Sequence, residues 1–196
     1  MKQGDYVFSM SDYFKEEKID GKIYLMARPG DRHEEVQGNL YNIFGNYFRQ
    51  NKRRCRIKNE AQLSIDKNNY LIPDLMVFCY NNDRENNKTV PVIVIEVLSK
   101  STYSKDIGVK MKKYAEVGIR EYWLVDYKNL TASIFMLEGG RYELFKSYAY
   151  YVPEDFCDIP ELREKEQSEL EIYEEFSPVS FPELSIALED VFYIVE

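Results

Sequence analysis

The sequence has few cysteines and no long apolar run. Its three cysteines, Cys55, Cys79 and Cys157, are odd in number, far apart and without a CxxC pair, which argues against a disulfide framework and a zinc ribbon. We therefore expect reduced packing residues. No stretch approaches the roughly 18 apolar residues of a membrane span, and the N-terminus leads into no apolar segment of signal-peptide length. The sequence thus predicts a cytoplasmic protein with no membrane association.

Internal repeats and linker-like segments are also lacking. The chain has 196 residues, of which 44% are hydrophobic and 15% aromatic, so it is long enough to bury a core of ordinary size. We expect a single domain over residues 1–196, with an acidic insertion at about 150–170.

The sequence has no overall excess of positive charge, which at first argues against a polyanionic substrate. Its net charge is −8, but residues 154–196 contain 14 acidic and only 2 basic side chains. The first 153 residues therefore carry a net positive charge and can face a phosphate backbone. Basic residues cluster at Arg49, Lys52, Arg53, Arg54, Arg56 and Lys58, and again at Lys100, Lys105, Lys110, Lys112 and Lys113. Such a cluster is either a solvated face or a contact surface for nucleic acid.

The apolar patterns predict an α/β protein with a mixed sheet flanked by helices and added β-hairpins. Asp20-Gly21 predicts a hairpin turn, and Asp31 is the expected cap of the longest helix. The predicted elements, in chain order, are a short helix at 13–17, a hairpin at 18–24, a helix at 31–48, strands at 54–65, 72–79 and 91–98, a helix at 104–117, a strand at 121–126 and a hairpin at 131–145.

Two acidic residues fall in predicted strands. Asp74 follows Pro73 at the start of one strand, and Glu96 interrupts the next, whose other residues are apolar on both faces. Burying an unpaired carboxylate there costs several kcal/mol. A divalent cation shared with Asp74 on a neighbouring strand would compensate Glu96, an arrangement that indicates metal-assisted phosphodiester hydrolysis. The alternative for Asp74 is a cap of a strand or turn.

Phosphodiester hydrolysis also requires a positive group near the transition state. With a rotation of about 100° per helical residue, Lys110 lies about 80° from the centre of the apolar face between Ile107 and Met111. Lys110 is therefore the lysine at the border between core and surface, best placed to reach back over the sheet. The alternative is that its stem follows the core edge and its ammonium group stays in water.

Several motifs follow one another at a specific spacing along the chain: Pro73-Asp74, Glu96 within IEVLS, Lys110, and EYWLVD at 121–126. Together they closely resemble the Uma-type family of putative restriction endonucleases, within the PD-(D/E)XK nuclease superfamily. The resemblance extends to IDGKIY at 19–24, to Arg32-His33 and to FPELS at 181–185. The usual Glu-x-Lys of the superfamily would place lysine at Leu98, so the in-strand lysine is absent, and Lys110 matches the position of a lysine recruited from the following helix.

The resemblance implies a restriction-endonuclease-like fold and a Mg²⁺- or Mn²⁺-dependent endonuclease that acts on DNA. Asp74 and Glu96 are the expected metal ligands, with the carbonyl of Val97 as a third, and Lys110 is expected to orient water or stabilise charge. His33 is either a further site residue or a packing and capping residue. The main alternative is a non-catalytic nucleic-acid-binding or protein-interaction module with the same fold. An RNA or structure-specific nuclease, and a homodimer, also stay open.

Overall fold

The structure is a computed structural model that describes residues 14–27, 29–80, 90–99, 106–151 and 174–194. Its strands are β1 (Phe14–Ile19), β2 (Lys22–Ala27), β3 (Cys55–Asn59), β4 (Leu63–Asp66), β5 (Asn69–Leu71), β6 (Leu75–Cys79), β7 (Ile93–Val97), β8 (Glu121–Asp126), β9 (Thr131–Glu138), β10 (Arg141–Ala149), β11 (Glu175–Phe176) and β12 (Ile186–Ala187). Its helices are α1 (Asp31–Gln50), a π-helical turn (Asp106–Lys110) that continues into α2 (Met111–Glu116), and α3 (Leu188–Phe192).

A six-stranded mixed sheet forms the centre of the fold, with the strand order β10-β9-β8-β7-β6-β3. Strands β7 and β8 are parallel and are connected through α2, whereas the other neighbouring pairs are antiparallel. Every residue of β7 is buried, as expected for a central strand covered on both faces. The predicted α/β class, with a mixed sheet flanked by helices, is confirmed.

Each face of this sheet has its own apolar core. On one face, Leu40 and Phe44 of α1 pack with Ile95 and Trp123, together with α3. On the other face, α2 packs with a four-stranded sheet of order β2-β1-β5-β4. Because α1 repeats its apolar residues at helical spacing, its core face could be predicted from the sequence alone.

The N-terminal hairpin is longer than predicted. The expected helix at 13–17 is wrong for its described residues, because Phe14 begins β1 and pairs with Ala27 of β2. The Asp20-Gly21 turn is confirmed, with φ angles of 50° and 81°, the left-handed conformation that a two-residue hairpin turn requires. Residue 13, the first residue of that predicted helix, lies outside the described residues.

Two other local predictions are wrong. The segment 54–65 is not one strand but two, β3 in the central sheet and β4 in the smaller one, with a reversal at Glu60, whose φ is 44°. Helix α1 is capped by the backbone of Gly30 without a side-chain hydrogen bond. Asp31 instead occupies the first helical turn, where its negative charge interacts favourably with the helix dipole.

Cys55 and Cys79 form a disulfide, so the expectation of reduced cysteines is wrong for this pair. The two residues face each other across β3 and β6, with Cα atoms 4.1 Å apart, although 24 positions separate them in sequence. The register of the strands, which the sequence does not display, creates the pairing. Disulfides persist mainly in oxidising surroundings, so this bond gives the predicted cytoplasmic location no support. Cys157 lies outside the described residues.

Membrane insertion was not expected from the sequence. Within the described ranges, no helix has the length and apolar character needed to cross a membrane.

Candidate active site

Asp74 and Glu96 lie side by side on the sheet face covered by α2. Strands β6 and β7 are antiparallel with Leu75 opposite Ile95, so extending this register by one residue places Asp74 opposite Glu96. Directly opposed residues have Cβ atoms roughly 4.5–5.5 Å apart. Asp74 immediately precedes β6 rather than lying within it. The two residues are only 5% and 2% exposed.

Asp74 is held by three donors. The Lys15 ammonium lies 2.7 Å from Oδ1, while Oδ2 lies 3.1 Å from Nε2 of His33 and accepts the Val97 N–H at 2.9 Å. Burial alone would raise the pKa of Asp74, but the hydrogen bond with His33 and the charge of Lys15 hold it well below its usual range. His33 therefore lies beside Asp74, and its role as a site residue stays a prediction.

Lys110 is buried at the centre of a carboxylate cluster. Its Nζ lies 3.2 Å from Glu96, 3.1 Å from Asp106 and 3.1 Å from Glu17. Burial alone would lower the pKa of Lys110, but these carboxylates raise it well above its usual value. Lys110 is therefore a charged group at neutral pH.

The predicted border position of Lys110 is wrong. Lys110 is only 2% exposed, whereas Ile107, expected in the core, is 41% exposed. The cause is the π-helical turn, whose i→i+5 hydrogen bonds give a smaller rotation per residue than an α-helix. Asp106 and Lys110 consequently face the sheet in place of Ile107.

Glu96 accepts two hydrogen bonds at the same oxygen. The Lys110 ammonium group and the Tyr114 hydroxyl both donate to Oε1, at 3.2 and 2.5 Å. Burial raises the pKa of Glu96 well above its usual range, against the opposing charge of Lys110. Tyr114 is buried, as expected for a core aromatic, and its hydroxyl fixes one Glu96 oxygen.

Lys15 and Glu17 belong to the site but were missed in the sequence. Glu17 accepts the Ile72 N–H at 2.9 Å through Oε1, and its buried Oε2 has no hydrogen-bond partner among the described residues. The sequence had predicted a helix over these residues, at 13–17. The alternating pattern that leads up to Ile19 also fits these residues, and it would have indicated a strand. In a strand, Lys15, Glu17 and Ile19 lie on one face.

The site contains more acidic than basic groups. Four buried carboxylates, from Glu17, Asp74, Glu96 and Asp106, contact two ammonium groups, from Lys15 and Lys110. Ionisation of all four acids would leave an excess of two negative charges. A divalent cation can compensate such an excess.

A small cavity lies between these groups. Its volume is about 20 Å³, and its lining includes Lys15, His33, Asp74, Glu96 and Lys110. That volume accommodates about one water molecule, and therefore also one bare metal ion. Within the described ranges, no group of three or more His, Cys, Asp or Glu side chains is arranged to hold a metal. Mg²⁺, however, is usually bound through one or two carboxylates, with water and substrate phosphate as the other ligands. The residues present fit that requirement.

The Val97 carbonyl and the second basic cluster, also predicted from the sequence, have fewer contacts with the site. Val97 contacts Asp74 through its N–H, and its carbonyl as a metal ligand stays a prediction. In the second basic cluster, Lys112 is exposed and Lys113 pairs with Asp20 and Glu116. Lys100 and Lys105 lie outside the described residues.

Sequence comparison gives the family. The model of the Uma2 family, described as "Putative restriction endonuclease", matches residues 10–175. The chain belongs to this family. The resemblance seen in the sequence motifs is thereby confirmed.

Two individual proteins are similar to the chain. The Uma2 chain is 32% identical over 126 residues to "Uncharacterized protein slr1290" of Synechocystis sp., a match over 62% of this chain and 65% of that protein, slightly under two thirds of its length. Its fold is similar to the crystal structure of a "putative nuclease belonging to DUF820" from Anabaena variabilis, with a TM-score of 0.63, 18% sequence identity, and coverage of 90% of this chain and 89% of the other. The fold is therefore similar to that of this putative nuclease.

Proposed function

We propose that this Uma2 protein is a Mg²⁺- or Mn²⁺-dependent endonuclease that hydrolyses phosphodiester bonds of DNA. The observation that carries the proposal is the opposed pair of buried carboxylates, Asp74 and Glu96, beside a cavity of single-ion size. Family membership supports the reaction class, and the excess of buried carboxylates supports the cation.

In this proposal, Asp74 and Glu96 hold the metal, with the carbonyl of Val97 as a third ligand. A bound divalent ion supplies polarisation of the phosphate and a lower pKa for the attacking water. The Val97 N–H and His33 fix the Asp74 carboxylate against β7, and Tyr114 fixes that of Glu96. Such fixed ligands need little rearrangement when the site is loaded.

The two lysines have different tasks. Lys110, enclosed by three carboxylates, offsets their negative charge and positions Glu96 and its neighbours. The sequence indicated a lysine that orients water or stabilises charge, whereas the role proposed here is to balance and position the buried carboxylates. Lys15 lies 2.7 Å from both Asp74 and Glu60 and is partly exposed, so its ammonium group stands where a phosphate would approach.

The direct test is cleavage of supercoiled, linear and single-stranded DNA with Mg²⁺ or Mn²⁺. Asp74→Asn and Glu96→Gln should lower the rate by a factor on the order of 10² or more, because each removes a metal ligand. Glu189→Gln removes the same charge from an exposed position on α3 and is the matched control. Full activity of Asp74→Asn, or no cleavage of any substrate by the folded wild-type protein, would contradict the proposal.

A second candidate, a non-catalytic nucleic-acid-binding or protein-interaction module, has one observation in its favour. Asp74 and Glu96 are each already paired with an ammonium group of the chain, from Lys15 and Lys110. A cluster stabilised in this way can persist without a metal. Binding of DNA without cleavage, together with no binding of Mg²⁺ or Mn²⁺, would favour this candidate.

A further inference from the structure

The first basic cluster of the sequence divides into groups with different surroundings. Arg53 pairs with Glu183, while Arg49 and Lys52 are exposed at the C-terminal end of α1. Arg56 and Lys58 belong to β3, the edge strand of the central sheet. Because they are two positions apart, their side chains project from the same face of that strand.

This face is the one that carries Asp74 and Glu96. The Lys58 ammonium lies 5.0 Å from the ring centre of Phe78, and the Arg56 guanidinium 4.9 Å from that of Tyr80. Both rings pack into the core on the α2 side of the sheet. Phe78 and Tyr80 are four and six residues beyond Asp74, so the even spacing keeps all three on one face.

The two cations remain available to an external anion. An aromatic face attracts a cation and restricts its position, but it does not neutralise the charge. Among the described residues, neither Arg56 nor Lys58 forms an ion pair with a carboxylate. Arg53 differs from them, because Glu183 already balances its charge.

Strand geometry gives the distances. With a rise of about 3.3 Å per residue, Phe78 and Tyr80 lie roughly 13 and 20 Å along β6 from Asp74. The two cations that lean over these rings are therefore separated by about 7 Å along the strand direction that leads to the two carboxylates. This separation is comparable to that of neighbouring phosphates along a nucleic-acid strand. Glu60, which pairs with Lys15, lies next to Asp74 at the end of this path.

We propose that Arg56 and Lys58 form a phosphate-binding row that holds the backbone of duplex DNA two to three phosphates from the bond at Asp74 and Glu96. The identity of that bond rests on the proposed function, but backbone binding does not require cleavage. The row defines a path for the DNA backbone, which runs between the Tyr80 end of β6 and Asp74.

The test is binding of a fluorescein-labelled DNA duplex, followed by anisotropy between about 50 and 200 mM NaCl with EDTA present. The double variant Arg56→Gln, Lys58→Gln should lower the slope of log K against log salt by about 2, and weaken binding about tenfold or more at about 0.1 M salt, since each phosphate contact contributes about 0.9 to the slope. The control, Arg49→Gln with Lys52→Gln, removes the same charge from the end of α1 and should change the slope by less than half as much.

Equal effects of the two double variants would show a general charge effect and overturn the proposal, as would absence of binding by the wild-type protein. The proposed function is tested by a separate result. If the row variant loses salt-dependent binding but the wild-type protein cleaves nothing with Mg²⁺ or Mn²⁺, the row stands and the endonuclease assignment falls. Melting curves of both variants exclude unfolding as the cause of lost binding.

Discussion

Replacement of Lys110 by methionine tests whether the buried carboxylate cluster depends on this one ammonium group. Methionine fills similar space but has no charge, so the variant keeps the packing and loses three N–O contacts of 3.1 to 3.2 Å. Glu17, Glu96 and Asp106 then remain buried with their principal counter-charge removed.

The expected loss is large and depends on pH. Removal of one partner of a buried ion pair costs about 3–5 kcal/mol, and Lys110 serves three carboxylates. In the variant the pKa of Glu96, already raised by burial, rises further because the opposing charge of Lys110 is gone, so the folded state binds more protons than the unfolded state. Because the folded state of the variant binds more protons, its free energy of unfolding falls as pH rises through the acid range. We therefore expect a loss of about 3–5 kcal/mol near pH 8 and a smaller loss near pH 5.

Urea unfolding at both pH values measures the effect, with the fluorescence of the buried Trp123, the only tryptophan, as the probe. Lys113→Met is the matched control, since the Lys113 side chain pairs at the surface with Asp20, which is 69% exposed. Such pairs contribute only about 0–1 kcal/mol. A loss at Lys110 no larger than that at Lys113, or one that does not shrink at pH 5, would refute the account of this cluster.

Other features give independent predictions. Reduction of the Cys55–Cys79 disulfide should lower the free energy of unfolding by about 3 kcal/mol, the value for a loop closed over 24 residues, and unfolding with and without reductant tests this. Burial raises the pKa of Tyr142 above its usual value, so the unfolded state ionises first and stability should fall as pH rises above about 10. Tyr142→Phe should make this decline shallower. Gly21→Ala should cost about 1–2 kcal/mol because φ is 81°, whereas Gly30→Ala, at a negative φ, should not.

Much of the fold follows from local patterns. The strand predicted at 121–126 has the bounds of β8, and the buried face of α1 follows the helical repeat of its apolar residues, because both signals are periodic within one element. The N-terminal helix and the undivided strand at 54–65 were wrong. In both segments the pairing partner is distant in sequence, and pairing overrides local preference.

The site was only partly predictable. Asp74 and Glu96 could be placed together, since each is a carboxylate at the margin or centre of an apolar strand. For Lys15 and Glu17, the alternating pattern indicates only that they share a strand face. Their place in the site depends on how β1 lies against the end of β5, which is a long-range contact. The burial of Lys110 depends on a π-helical turn that a rotation of about 100° per residue does not anticipate.

Calorimetric titration with Mn²⁺ tests most directly the central claim that Asp74 and Glu96 share a divalent cation. We expect the wild-type protein to bind about one ion, and Asp74→Asn and Glu96→Gln to lose this binding, because Mg²⁺-type sites rely on one or two carboxylates. The exposed-site variant Glu189→Gln should bind as the wild-type protein does. Mn²⁺ binding that survives in both site variants, or that is absent from the folded wild-type protein, would contradict the account.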